Sequence, residues 1–148
     1  VTSHFVMKLY QGTIMRIEGT CHCGHVSYEA DIDPEQVYIC HCTDCQQLTG
    51  TAFRWAVSVS ASDFRLLGAK PKVYRKTAAS GATSCQYFCP RCASPIYSTS
   101  SGDQFKNVNV RLGTARQRAE LVPRLQYWHR SALGWVGHPL AIKTLATE

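Results

Sequence analysis

Apolar and polar residues alternate with a period of two through most of this chain. In VSYEADI (26–32), Val26, Tyr28, Ala30 and Ile32 fall on one side; in FRWAVSVS (53–60), Phe53, Trp55, Val57 and Val59 do so; in NVNVRL (107–112), Val108, Val110 and Leu112. Successive side chains of a strand point to opposite faces, so each stretch predicts a half-buried strand. Turn-forming segments lie between them: DIDPEQ, LLGAKPK, AASGAT and SSGDQ. Strands at such short intervals predict an all-β domain with antiparallel pairing. Helix is scarce. The best candidate is the turn or two at TDCQQLTG, where Thr43 or Asp44 can cap and Gly50 can terminate.

The chain has 148 residues, 45% of them hydrophobic, enough for one sizeable core and hardly for two. A single domain over 17–148 is expected. Residues 1–16, which share no pattern with the rest of the chain and begin at Val1 with Met7 and Met15 inside, read as an N-terminal extension or leader. No window approaches the roughly 18 apolar residues of a membrane helix, and the N-terminus lacks the charged start and apolar run of a secretory signal. The expectation is a soluble, cytoplasmic protein with no membrane partner.

Eight cysteines change the picture, because they are spaced as C-x-C (Cys21, Cys23), C-x-C-x-x-C (Cys40, Cys42, Cys45), a single Cys85, and C-x-x-C (Cys89, Cys92). Such short intervals aim several sulfurs at one centre, which metal thiolate sites need and disulfides seldom do. Zinc suits sulfur-rich tetrahedral sites; an iron–sulfur cluster is the smaller alternative. Pairing the C-x-C with the C-x-x-C closes a four-sulfur site, a structural tie. That leaves Cys40, Cys42 and Cys45 as a three-sulfur site with a vacant fourth position. The middle residue of an extended C-H-C points away from its neighbours, so His22 and His41 read as non-ligands. Cys85 is either an ordinary buried hydrophobe or the ligand that would close the second site.

Two Zn2+ and seven thiolates also lower the formal charge of +6 to about +3. The densest basic run, KPKVYRK (70–76), reads as the solvated face of a strand carrying Lys72, Tyr74 and Lys76, with no nucleic-acid motif beside it. No nucleic-acid partner is expected. Nor is there a G-x-S-x-G elbow, a phosphate loop or an H-E-x-x-H, so hydrolase, nucleotide and zinc-protease readings have no starting residue.

GTCHCGHVSYEA, YICHCTDCQQLTGTAF, FCPRCASPIY and PRLQYWHRSALGWV resemble, in order and spacing, the glutathione-dependent formaldehyde-activating enzyme family, whose domain also occurs in centromere protein V. The resemblance runs from about Gly19 to Trp135. It implies a zinc fold of the β-tent type, a closed zinc site at Cys21, Cys23, Cys89 and Cys92, and an open, catalytic one at Cys40, Cys42 and Cys45. Two departures stand out. Ala93 occupies the place of a usual glycine after the second knuckle, so the φ > 0 turn is absent or strained. Gln126 stands where a histidine is common, with Trp128 and Trp135 in the usual aromatic places; His129 should face opposite to Trp128 on a strand, as a surface or hydrogen-bonded histidine.

A three-thiolate zinc carries a net charge of −1 and deprotonates a thiol bound at its free position. The resemblance therefore implies a carbon–sulfur lyase that joins glutathione, or a similar small thiol, to formaldehyde or another small aldehyde, or releases it. Arg54 or Arg91 could hold the carboxylates of glutathione, although surface arginine is the simpler reading. Asp44 could relay a proton, although an Asx turn or helix cap is simpler. The alternative is a scaffold or interaction module with two structural zincs and no catalysis.

Overall fold

The computed structural model describes residues 13–77, 81–100, 105–138 and 140–147. Most of the proposed N-terminal extension (1–12), the start of the AASGAT turn and most of the SSGDQ turn lie outside the described residues. Among the described residues, ten strands form two sheets. A three-stranded sheet has the order β1 (Met15–Thr20), β2 (Ser27–Ile32), β5 (Phe64–Leu66). A seven-stranded sheet has the order β10 (Leu125–Tyr127), β3 (Val37–Cys40), β4 (Arg54–Ser60), β9 (Asn107–Arg111), β8 (Pro95–Thr99), β7 (Thr83–Phe88), β6 (Lys72–Thr77). Pairing is antiparallel throughout except between β10 and β3, which run parallel with Tyr127 opposite Cys40.

The alternation in the sequence becomes the core. Val26, Tyr28, Ala30 and Ile32 are fully or almost fully buried, as are Val57, Val108, Val110 and Leu112, and they form one cluster with Ile17, Val37 and Ile96. Trp55 is only partly buried but donates its Nε1–H to the Leu121 carbonyl at 3.0 Å. Close packing is most demanding at Gly19, opposite Tyr28 on the neighbouring strand: a Cβ there would meet the Tyr28 ring at 2.2 Å. Only glycine lets the ring lie flat over β1.

The one α-helix among the described residues, α1 (Thr43–Thr49), lies where the sequence places it and ends at Gly50 in the left-handed region, φ 68°. Its N-cap differs from expectation. Cys42, extended at φ −59°, ψ 152°, accepts from the Cys45 N–H at 3.3 Å, while Thr43 and Asp44 are already inside the helix. A sulfur thus replaces the usual capping oxygen. On β6, Lys72 and Tyr74 are exposed as expected, but Lys76 is half-buried and pairs with Asp44 across to α1.

Candidate metal centres

Two turns belonging to different sheets meet at the first cysteine group. Cys21 and Cys23 sit in the β1–β2 turn; Cys89 and Cys92 sit in the β7–β8 turn. Their four sulfurs lie within 4.8 Å of one another. The Cys21–Cys23 and Cys23–Cys89 separations are 3.6 and 3.7 Å. The edge of a ZnS4 tetrahedron with bonds of about 2.3 Å is about 3.8 Å, so the donor set and its size both fit a four-thiolate metal. Backbone amides preset the sulfurs: Val26 N–H donates to Cys21 Sγ at 3.2 Å, and Arg91 N–H to Cys89 Sγ at 3.4 Å. The Ser94 hydroxyl beside Cys92 is the main cause that draws that thiol down to about 5. The turn is completed by Ala93 at φ 62°, a left-handed residue with a side chain; its N–H reaches the Cys89 carbonyl at 2.9 Å.

Cys40, Cys42 and Cys45 form the second group, again with sulfurs within 4.8 Å of one another. Cys40 ends β3, Cys42 caps α1 and Cys45 lies in the first turn of α1, so one strand-to-helix junction supplies all three. Across the sheet Cys40 has Arg54 on one side and Tyr127 on the other. The neighbouring Cys45 thiol draws Cys40 down to about 5, while Cys45 is pushed up by Cys40 and by burial.

The remaining thiol, Cys85, is fully buried in β7 and belongs to neither group. All eight cysteines are free. Neither His22 nor His41 joins a group. His41 is fully buried, its Nε2 2.9 Å from Gln126 Oε1, with Phe53 and His129 edge-on to its ring. Gln126, the substituted position, therefore holds a buried histidine. His129 is exposed, but strand alternation does not govern it: the chain leaves β10 at Trp128, φ 54°, and enters a 3-10 turn at His129–Ser131.

The surroundings of the three-cysteine group are polar and aromatic. A cavity of about 280 Å3 is lined by Cys40, Cys45, Tyr38, Arg54, Asn109 and Trp128 among others. The Tyr38 hydroxyl donates to Asn109 Oδ1 at 3.1 Å, and burial is the main cause that raises its pKa. Arg54 is half-buried, not a surface arginine; Arg91 is exposed and stands in the β7–β8 turn at the other group. Asp44 is exposed and paired with Lys76. Arg111, 6% exposed on β9, lies beside Arg54, and both guanidinium groups donate to Gln86 Oε1 on β7. Sequence reasoning missed Arg111 and Gln86, because Arg111 sits inside NVNVRL, where alternation draws the eye to its apolar neighbours.

Two cysteine groups that could each hold a metal, set in a mostly β fold of two sheets, define the class: a β protein with two candidate metal-thiolate centres. The sequence profile of the glutathione-dependent formaldehyde-activating enzymes matches residues 16–131, and the chain belongs to that family. A search of curated proteins finds no match. Among solved structures, a crystal structure of a Rhodobacter sphaeroides protein, a Northeast Structural Genomics target, is similar in fold, with a TM-score of 0.53 and 21% identity over 66% of this chain and 85% of that one.

Proposed function

We propose that the protein is a zinc-dependent carbon–sulfur lyase that makes or cleaves the adduct of glutathione with formaldehyde or another small aldehyde. Family membership supports the substrate pair. The observation that carries the chemistry is the unequal thiol count: four sulfurs in one group, three in the other, and Cys85 in neither. In this reading Cys21, Cys23, Cys89 and Cys92 hold a structural zinc, and Cys40, Cys42 and Cys45 are the catalytic-site ligands of a second. Zinc held by three thiolates supplies an open position and the charge that lets a substrate thiol ionise.

The chain's own residues do the rest. Cys42 and Cys45 are fixed by the helix start, so the three ligands enter the reaction without rearrangement. Arg54 stands opposite Cys40 in the wall of the same cavity, within reach of a substrate held there. Tyr38, kept protonated by burial and committed to Asn109, offers its oxygen to the hydroxyl of the hemithioacetal and orients it in the cavity. Asp44, turned to Lys76 at the surface, has no part in this scheme beyond fixing α1 to β6. The eight free thiols suit a reducing compartment, the cytoplasm.

Calorimetry on the zinc-loaded protein, run in buffers of different ionisation enthalpy, tests the reading. Glutathione should bind with release of close to one proton, and S-methylglutathione with none. Formaldehyde should then be consumed only with a free thiol present. Glutathione binding without proton release, together with no turnover of the adduct, would leave two structural zincs and a scaffold.

A further inference from the structure

Beside the three-cysteine group a half-buried arginine, Arg54, and a buried one, Arg111, lie together without an acid. Arg54 Nη2 and Arg111 Nη2 both donate to one acceptor, Gln86 Oε1, at 3.2 and 2.8 Å. Gln86 is itself held by Ser84, to whose hydroxyl its Nε2 donates at 2.7 Å. Two donors are left over: Arg54 Nε and Arg111 Nη1 are buried with no partner. Among the described residues, neither guanidinium pairs with a carboxylate. Buried charge of one sign with unfilled donors is unfavourable unless something of opposite sign completes it. The strain is visible at Arg111, whose pKa is lowered to about 9 by burial first and by the charge of Arg54 second.

A cavity of about 340 Å3 opens on this pair, with Arg54, Arg111, Gln86, Leu48, Tyr74 and Tyr97 in its wall. Arg54 also lines the cavity that holds Cys40 and Cys45, and so stands between the two. With a metal dication bound, three thiolates leave only one negative charge against two guanidinium groups, and one positive charge remains for a ligand. Two planar guanidinium forks in the wall of a partly apolar cavity suit the two oxygens of a carboxylate.

We propose that Arg54 and Arg111, positioned by Gln86, form a carboxylate subsite next to the three-cysteine group, the place where an acidic group of its thiol substrate docks. The role in catalysis rests on the lyase reading; the anion binding does not.

Three probes separate the parts: S-methylglutathione has carboxylates and no free thiol, cysteamine has a thiol and no carboxylate, and glutathione has both. The zinc-loaded wild type should bind S-methylglutathione, with affinity falling as salt rises, and glutarate should compete. In Arg54→Met and Arg111→Met, S-methylglutathione and glutathione should each weaken by about tenfold or more, while cysteamine changes by less than about twofold. Gln86→Met, which leaves both arginines in place but unposed, should give a smaller loss and serves if Arg111→Met fails to fold. The subsite is wrong if wild type binds neither S-methylglutathione nor glutarate, or if the variants lose cysteamine as much as glutathione, which would assign the arginines to the charge of the cysteine centre. Arginine-dependent binding of S-methylglutathione with no proton release from any thiol would uphold the subsite and refute the lyase reading.

Discussion

The two cysteine groups are built from the same chemistry and placed differently. The four-cysteine group joins turns from both sheets, with Cys21 and Cys89 almost fully buried and backbone amides filling in around the sulfurs. The three-cysteine group sits on one strand-to-helix junction of the larger sheet, against Arg54, Tyr38 and a cavity. Sequence separation explains the contrast. Cys23 and Cys89 are 66 positions apart, so a metal there closes a long loop, while Cys40 and Cys45 close almost none. A metal in the first position would organise the fold; a metal in the second would decorate a junction already formed by hydrogen bonds.

The sharpest way to break that contrast is to remove one sulfur from each. Cys21→Ser should cost roughly 3–5 kcal/mol and lower Tm by on the order of 10 °C, with loss of metal. Cys42→Ser should lose one metal per chain and any lyase activity, with a Tm change of only about 2–4 °C, since serine can keep the helix cap. Metal analysis and thermal melts of the two variants decide it. Equal collapse of both would abolish the division into a staple and a site.

A second, smaller effect concerns Tyr28, packed on Gly19 beside the four-cysteine turn, its hydroxyl 3.0 Å from Thr114 Oγ1. Burial raises its pKa from the ordinary value to about 12. An acid raised on folding stabilises the protein below its unfolded pKa, near 10, and that stability is lost as pH climbs from about 10 to 12. Up to roughly 2–3 kcal/mol should vanish across this window. Tyr28→Phe should cost about 1 kcal/mol at neutral pH, from the lost hydrogen bond, and flatten the alkaline limb. Denaturant midpoints measured between pH 8 and 11.5 would show it, and parallel curves for wild type and variant would refute it.

Strands were legible because burial follows a period of two: the apolar sets of β2 and β9, and Val57 and Val59 of β4, are the core. The cysteine groups were legible because their spacing is short and local, and the pairing of C-x-C with C-x-x-C follows from counting sulfurs. What the sequence hid is long-range. Nothing local places Arg111 beside Arg54, since they meet only because β4 and β9 pair and both reach Gln86 on β7. The parallel β10–β3 pair was equally invisible, because three exposed residues carry no alternation signal. Cys42 as a helix cap was missed because capping rules favour oxygen; the chain here gives the position to a sulfur that the cysteine group also needs.

The smallest effect tests the four-cysteine turn alone. Ala93 lies at φ 62°, where a side chain crowds the following carbonyl oxygen, and the sequence already marked it as a position where glycine is usual. Ala93→Gly should therefore stabilise the turn by about 1 kcal/mol, less the entropy that glycine adds to the unfolded chain, for a net rise in Tm of about 1–3 °C. Gly50, at φ 68° at the end of α1, is the mirror experiment: Gly50→Ala adds the same crowding next to the three-cysteine group and should cost about 1 kcal/mol. Its Cβ would meet nothing within 4 Å, so the cost would be backbone strain alone. If Ala93→Gly slows metal loss to a chelator while Gly50→Ala leaves the metal of the four-cysteine group unchanged, the two centres respond to their own turns only. If instead Ala93→Gly also alters thiol binding at the three-cysteine group, the centres are coupled, and the route available is the cavity wall that Ala93 shares with Arg54 and Arg111.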